Sequence, residues 1–289
     1  MNNRLPSWFK KRIPEPGTMS GMRTLIDSLS LHTICESALC PNIGDCFSRK
    51  TATFLLLGDT CTRNCTFCAV KKGVPETVDE EEPEHLAEAV KRLGLRHIVI
   101  TSVTRDDLSD GGAAHFARTI RRLQAEDRAL TVEVLVPDFA GSPEALRLVV
   151  DARPDIINHN LETVPRLYPE VRPKADYQRS LELLRLVKEL DGRIITKSGL
   201  MVGLGETKDE MLRVMADLRE VDCGLLTIGQ YLAPSSEHHP VVRFVTPDEF
   251  SEYERIGQDM GFRAVASSPL VRSSFDAARL YARATEGLK

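Results

Sequence analysis

No stretch of the 289 residues strings together the roughly 18 to 20 apolar side chains that a helix needs to span a bilayer, so no membrane embedding is expected. Basic charge is also short: 38 Lys and Arg stand against 42 Asp and Glu, a formal net charge of −4. Proteins that grip nucleic acid usually carry a clear basic excess or stripe, so no such partner is expected. Residues 1–16 hold basic side chains but lack the apolar segment of a secretory signal. These absences point to the cytoplasm or an equivalent reducing space. Low-complexity tracts, strong linkers and sequence repeats are missing as well, and 42% hydrophobic content over this length suits one large domain or two smaller ones.

Cysteine, by contrast, is concentrated. Six of the seven lie between Cys35 and Cys68, and in a reducing compartment such crowding argues for metal or catalysis rather than disulfides. The seventh, Cys223, ends a helical pattern and reads as an inert buried thiol. Cys61, Cys65 and Cys68 form a triplet with gaps of three and two residues. Thiolates are the usual ligands of iron–sulfur clusters, and three of them on a four-iron cubane leave one iron open for chemistry. Tetrahedral zinc is the alternative, but it wants four protein ligands, commonly as two Cys-x-x-Cys or Cys/His pairs, and one such pair is present. A second triplet, Cys35, Cys40 and Cys46, has spacings too irregular for one helix face. Pro41, Asn42 and Gly44 make its second half a loop able to wrap a compact object.

The arm over residues 1 to 20 carries the only Trp, Trp8, expected to pin it to the main body, and Met22 to Ser30 reads as a short helix. From Thr51 onward, apolar β-branched runs alternate with helical patterns. Runs at 53–57, 97–102, 130–136, 156–157, 193–202, 225–228 and 263–266 suit buried strands. Between them, 86–93, 113–123, 144–150, 181–190, 211–221 and 249–260 repeat apolar residues at three- and four-residue intervals. Ser142, Thr207 with Glu210, and Thr246 with Glu249 read as helix caps. This alternation implies parallel strands with right-handed crossovers. About six units suit a partial (βα)6 TIM-like barrel, short of the usual eight. The acidic run 79–84 reads as a solvated loop before a helix.

In such folds the reacting groups gather just past the strands' carboxyl ends. Asn160, Glu162, Gly203 and Glu206 lie there as candidates for binding a nucleoside, while Asp106 and Asp107 read equally as helix caps and His159 as a hydrogen-bonded core histidine.

Cys-x3-Cys-x-Phe67-Cys after the first strand resembles the radical S-adenosylmethionine enzymes. Together with Cys35-x4-Cys40-Pro41-Asn42 and Cys46, the 101–107, 136–139, 158–162 and 196–206 segments, and Arg272-Ser273-Ser274, the chain is similar to the lipoyl synthase family over about residues 8 to 279. The resemblance implies two 4Fe-4S clusters. One, on Cys61, Cys65 and Cys68, binds and cleaves S-adenosylmethionine to a 5′-deoxyadenosyl radical. The other, on Cys35, Cys40, Cys46 and Ser274, is auxiliary and gives up sulfur. It implies a sulfurtransferase that inserts two sulfur atoms, at C6 and C8 of an octanoyl chain held on a lysine. The carriers are lipoyl domains of 2-oxoacid dehydrogenase E2 subunits and the glycine cleavage H protein. A ferredoxin or flavodoxin donates electrons, and an iron–sulfur carrier is a further partner. Residues 1–50 would form an N-terminal cluster-binding extension, 51–270 the barrel, and 271–289 a C-terminal capping segment supplying the serine. From residue chemistry alone Ser274 reads as a helix N-cap and is indistinguishable from Ser273. Phe275 stands where the family often has Tyr, and Ser268 where Gly is expected. Arg172, Lys174 and Arg179 could meet an acidic carrier, or be a solvated surface. Two competing readings are sulfur insertion into a free small molecule, as in biotin formation, and a zinc-stabilised binding module.

Overall fold

The computed structural model describes residues 5–9 and 17–286. The rest of the expected N-terminal arm, residues 1–4 and 10–16, and residues 287–289 of the C-terminal segment lie outside the described residues. Within the arm it is Phe9, not Trp8, that anchors: Phe9 is buried edge-on against Phe244 at 5.6 Å, whereas Trp8 is 39% exposed.

Helix α1 (Thr18–Ser28) begins four residues before the expected Met22, and strand β1 (His32–Thr33) follows it. Short helices α2 (Ile34–Ser37) and α3 (Ile43–Ser48) then carry Cys35 and Cys46, with Cys40 in the turn between. The expected wrapping loop is thus half helical. Gly44 lies inside α3, whose N-cap position is Asn42, and the Asn42 side chain donates across the fold to the Leu270 carbonyl at 2.7 Å.

Beyond this, β2 (Thr53–Leu56), the two-residue strands β3 (Thr60–Cys61) and β4 (Lys71–Lys72), and α4 (Glu82–Leu93) complete the first unit. The pattern continues through β5 (His97–Ser102), α5 (Ala113–Glu126), β6 (Thr131–Leu135), α6 (Pro143–Asp151), β7 (Ile156–Asn158), α7 (Tyr168–Val171) and α8 (Tyr177–Leu190). It closes with β8 (Ile195–Val202), α9 (Lys208–Glu220), β9 (Leu225–Gln230), α10 (Pro247–Asp259), β10 (Ala264–Ser267) and α11 (Ala277–Thr285). The capping assignments hold: Ser142 accepts from Ala145 N–H, and Thr207 and Thr246 each form a reciprocal box with Glu210 and Glu249.

One eight-stranded sheet runs β1-β2-β5-β6-β7-β8-β9-β10, with β1 antiparallel and the other pairings parallel. Six strand–helix units precede β10, and among the described residues the edge strands β1 and β10 do not pair, so the barrel is open. Leu280 and Ala284 of α11 bury against Ile156, Ile195, Leu225 and Ala264, and Tyr281 meets the His97 ring of β5 at 5.9 Å. These partners are the first residues of β7, β8, β9, β10 and β5, so the last helix packs across the amino ends of the incomplete barrel. The segment just before it descends to that end: Val271 lies against Gly229 near the carboxyl end of β9, while residues 274–277 line a space with Thr53 and His97, the first residues of β2 and β5. Among the described residues no helix is long and apolar enough to cross a membrane.

Candidate active site

Thiols of both cysteine groups border one space, whereas Cys46 lies beside Thr53 and His97, the first residues of β2 and β5. A cavity of about 510 Å³ is lined by Cys61, Cys65 and Cys68 on one side and by Cys35 and Cys40 on another. A smaller one of about 100 Å³ is lined by Cys35, Cys40, Cys46, Arg272 and Ser274. Arg272 and Ser274 border both spaces, whereas Ser273 borders only the larger. Ser274 is not a helix cap: α11 starts at Ala277, behind Asp276 in a left-handed conformation.

The thiols suit a cluster with several irons. Burial pushes Cys35 and Cys68 up to about 12 and raises Cys46 and Cys65, and the neighbouring thiolates add to each rise. Three adjacent thiolates are thus unfavourable in the bare chain, and bound cations would relieve them. A cubane takes one thiolate per iron, so its ligands stand apart around it. Cys223 shows the contrast. It is fully buried, its thiol donating to the Leu225 carbonyl at 3.4 Å, and burial holds that thiol at about 12, as an inert core thiol should be.

The loop of the first triplet is braced at each step. It leaves β2 through Leu57 and Gly58, both at positive φ (67° and 87°), an unfavourable conformation for leucine. Glu82 accepts the Leu57 N–H at 3.0 Å and Arg105 donates to its carbonyl at 3.2 Å, both buried. Glu82 also meets His115 at 2.6 Å, so this member of the acidic run is a buried brace rather than a solvated residue. Gly112 makes room, since a Cβ there would lie 2.3 Å from Leu57 Cδ1. Further on, Arg63 binds Asp106 through two bonds (2.9 and 2.8 Å) and Asp138 at 2.6 Å, tying the loop to the ends of β5 and β6. Burial would raise the Asp138 carboxyl, but Arg63 overcomes it and holds it at about 2. Asp106 and Asp107 are therefore not helix caps. Asp107 pairs with Arg105, and Asp110 caps α5 at Gly112 and Ala114.

Asn160 and Glu162 line the large cavity, joined by an Asn160 Nδ2 to Glu162 Oε1 bond of 3.0 Å. Among the described residues the buried Asn160 Oδ1 has no hydrogen-bond partner, and burial pushes the Glu162 carboxyl up. Opposite them Gly199 leaves a gap, since a Cβ there would come 2.7 Å from Asn160 Oδ1. An unused acceptor beside a glycine cradle fits a hydroxyl-bearing ligand. Gly203 and Glu206 stand apart from this wall. Glu206 accepts the N–H groups of Gly203, Leu204 and Gly205 and so caps its own turn, and a Cβ on Gly203 would strike Gln230 Nε2 at 2.0 Å.

The basic trio expected at the surface divides. Arg172 is buried, donating to the Asn160 and Leu161 carbonyls, whereas Lys174 stays exposed and Arg179 reaches Asp138 at 3.3 Å. Sequence reasoning missed Arg63, Glu82, Arg172 and Arg272 as working residues. The signal for Arg63 was its place between two cysteines; Glu82 had none, because its run reads as a solvated loop.

His159 is a core histidine, bonded to the Val136 carbonyl (2.9 Å) and Ser180 Oγ (3.1 Å). Burial, with Arg172 adding repulsion, lowers its pKa from 6.5 to about 4. The unfolded chain therefore takes a proton that the folded one refuses. Stability contributed by neutral His159 is full above the unfolded value and is lost as pH falls from 6.5 toward 4. On the order of 3 kcal/mol is at stake. A His159→Gln protein is expected to show a shallower fall in denaturation midpoint across that window.

Gly229 of β9 governs the serine segment: a Cβ there would lie 2.0 Å from the Val271 carbonyl. Overpacking of this kind costs about 1–3 kcal/mol. Gly229→Ala is expected to displace residues 271–274; on the two clusters that the family resemblance implies, it would reduce iron on the second triplet while 5′-deoxyadenosine formation persists, as iron analysis and product assay would read.

Residues 55–218 match the Radical SAM superfamily. The chain is 60% identical to lipoyl synthase of Caldanaerobacter subterraneus subsp. tengcongensis, over 96% of this chain and 97% of the relative. It is 56% identical to lipoyl synthase of Rubrobacter xylanophilus, over 94% of this chain and 85% of the relative. Among solved structures, methylornithine synthase superposes with a TM-score of 0.55 at 14% identity, covering 88% of this chain and 83% of that one. Streptococcus suis SuiB bound to S-adenosylmethionine gives 0.58 at 10%, covering 81% and 56%. At such identities these structures speak for the barrel alone.

Proposed function

The chain belongs to the lipoyl synthase family of radical S-adenosylmethionine enzymes, and on that premise we propose that it inserts two sulfur atoms, at C6 and C8 of an octanoyl-lysine on a carrier protein. The family carries a 4Fe-4S cluster and S-adenosylmethionine. We assign that cluster to Cys61, Cys65 and Cys68, and an auxiliary 4Fe-4S cluster to Cys35, Cys40, Cys46 and Ser274. When bound, the first with S-adenosylmethionine supplies the radical that breaks unactivated C–H bonds, and the second supplies sulfur.

The observation that carries the reading is the joint wall: thiols of both triplets and Ser274 line one cavity of about 510 Å³, a usual size for a small-ligand site. An alkyl chain entering it lies between the two sets of ligands, against Leu55, Leu135, Val136 and Leu200. Those aliphatic walls exclude water, which would otherwise quench a radical. Asn160 and Glu162 offer acceptors to ribose hydroxyls, and Arg63 and Glu82 hold the first cysteine loop rigid. Residues 1–50, 51–270 and 271–289 form the three functional segments. Electrons come from a ferredoxin or flavodoxin, and an iron–sulfur carrier rebuilds the auxiliary cluster.

The test is anaerobic turnover of an octanoylated carrier with S-adenosylmethionine and a reductant. A product heavier by two sulfurs, the dithiol expected under reductant, which loses two hydrogens only when later oxidised to the disulfide, supports the proposal; an unaltered octanoyl chain despite cofactor cleavage overturns it.

A further inference from the structure

The mouth of the large cavity has two unlike sides. On one, β4 pairs with the ligand-bearing β3 in parallel register, Thr60 with Lys71 and Cys61 with Lys72. Both lysines are exposed, and Lys72 lines the cavity. Lys71 lies 3.8 Å from Asp59, and among the described residues Lys72 has no carboxylate within ion-pair distance. Val74, two residues on, is 93% exposed. Lys174 adds a third exposed positive charge beside the same loop, its ammonium donating to the Thr62 carbonyl. On the other side Leu39, next to Cys40, lines the cavity, is 66% exposed and has a φ of 51°.

Neither Leu39 nor Val74 gains from folding, and leucine is disfavoured at positive φ. Their exposure beside solvent-exposed lysines is a combination that a docked surface would use. The chain's net charge of −4 opposes an acidic partner only at a distance, because fields fade over roughly 8 Å at physiological ionic strength, leaving the local lysines to decide at contact. Lys72 and Leu39 are among the exposed residues of the cavity lining, where a carrier delivering an acyl chain would meet it.

We infer that the β3–β4 ribbon, with Lys71, Lys72 and Val74, and the facing Leu39 turn form the docking edge for a folded carrier domain whose surface around the acylated lysine is acidic. This rests on the reading of the site as an acyl-chain sulfurtransferase. Lys71 and Lys72 steer and hold the carrier, while the acyl chain itself is bound deeper, so they act on carrier recognition and not on the chemistry.

The test compares wild type with Lys71→Glu/Val74→Glu and Lys71→Gln/Val74→Gln, neither position lining the cavity, with dithionite as reductant. The substrates are an octanoylated carrier domain of net negative charge and a short, uncharged octanoyl-lysyl peptide. The acidic pair is expected to raise KM for the carrier about tenfold or more with kcat unchanged, the neutral pair less, and to flatten the fall of kcat/KM with salt. Peptide turnover and cofactor cleavage should stay within about twofold, since rim charges act on encounter. The inference is overturned if carrier and peptide fall together, if neither falls, or if a loss appears only when flavodoxin replaces dithionite, which would give this edge to the electron donor. Absence of sulfur insertion into either substrate by the wild type would instead remove the underlying reading.

Discussion

A Cys65→Ala protein, purified without oxygen, is expected to form no 5′-deoxyadenosine and no sulfur-bearing product, and to hold about four irons per chain where the parent holds about eight. Cys65 sits mid-loop between the two segments that fix it. Arg63 ties one side to Asp106 and Asp138, and Thr66 ties the other, its N–H donating to the Val171 carbonyl at 2.9 Å. Alanine leaves those braces in place, so the loop persists without its central ligand. Loss of a partner outside the ligand set typically costs about 10–100-fold in metal affinity or activity; removal of a ligand from a group with only three exceeds that. Retained iron from the second triplet, followed by its absorbance, separates this outcome from unfolding. Appreciable deoxyadenosine formation by the variant would refute the assignment of the first cluster.

Ser274→Ala is expected to do the reverse: cofactor cleavage continues, close to the parental rate, while sulfur insertion falls below detection. Ser274 borders both cavities, whereas Ser273 borders one, so Ser273→Ala should change turnover little. The chemistry explains the direction. An alkoxide oxygen is a harder, more labile ligand to iron than a thiolate, so Ser274 would hold an auxiliary cluster less firmly than a fourth cysteine would. Ser274→Cys, with a soft thiolate that suits iron–sulfur clusters, should retain iron yet insert sulfur slowly. Equal product yields from the serine, alanine and cysteine proteins would refute the role. Deoxyadenosine and product measured in one reaction give the uncoupling directly, and a merely destabilised fold would lower both.

Much of the fold was legible because its signals are local. Alternation of buried apolar runs with 3.6-residue periodicity is written along the chain, and boxes such as Thr207 with Glu210 satisfy helix N–H groups within four residues. Where expectation and structure part, the deciding partner is distant in sequence. Glu82 looked solvated because the Leu57 N–H and His115 that bury it lie 25 and 33 positions away. Arg172 looked like surface, yet it turns inward to the carbonyls of Asn160 and Leu161. Lys197 gives no sign in sequence of its wholly buried pairing with Glu133, 64 positions earlier, at 2.6 Å.

The sequence by itself determined the chemistry available: two sets of three thiols, a strand–helix repeat, and a late Arg-Ser-Ser motif carried by family resemblance. Only the tertiary structure decided which residues share a space. It set Ser274 apart from Ser273, brought Arg272 between the two cavities, withdrew Gly203 and Glu206 from the cavity wall, and exposed Leu39 and Lys72 at its mouth. The physical reason is that ligand type and periodicity are properties of side chains and their near neighbours. Convergence, in contrast, depends on α11 packing across the amino ends of the open barrel, an anchoring against β5 and β10 that fixes where the preceding serine stands.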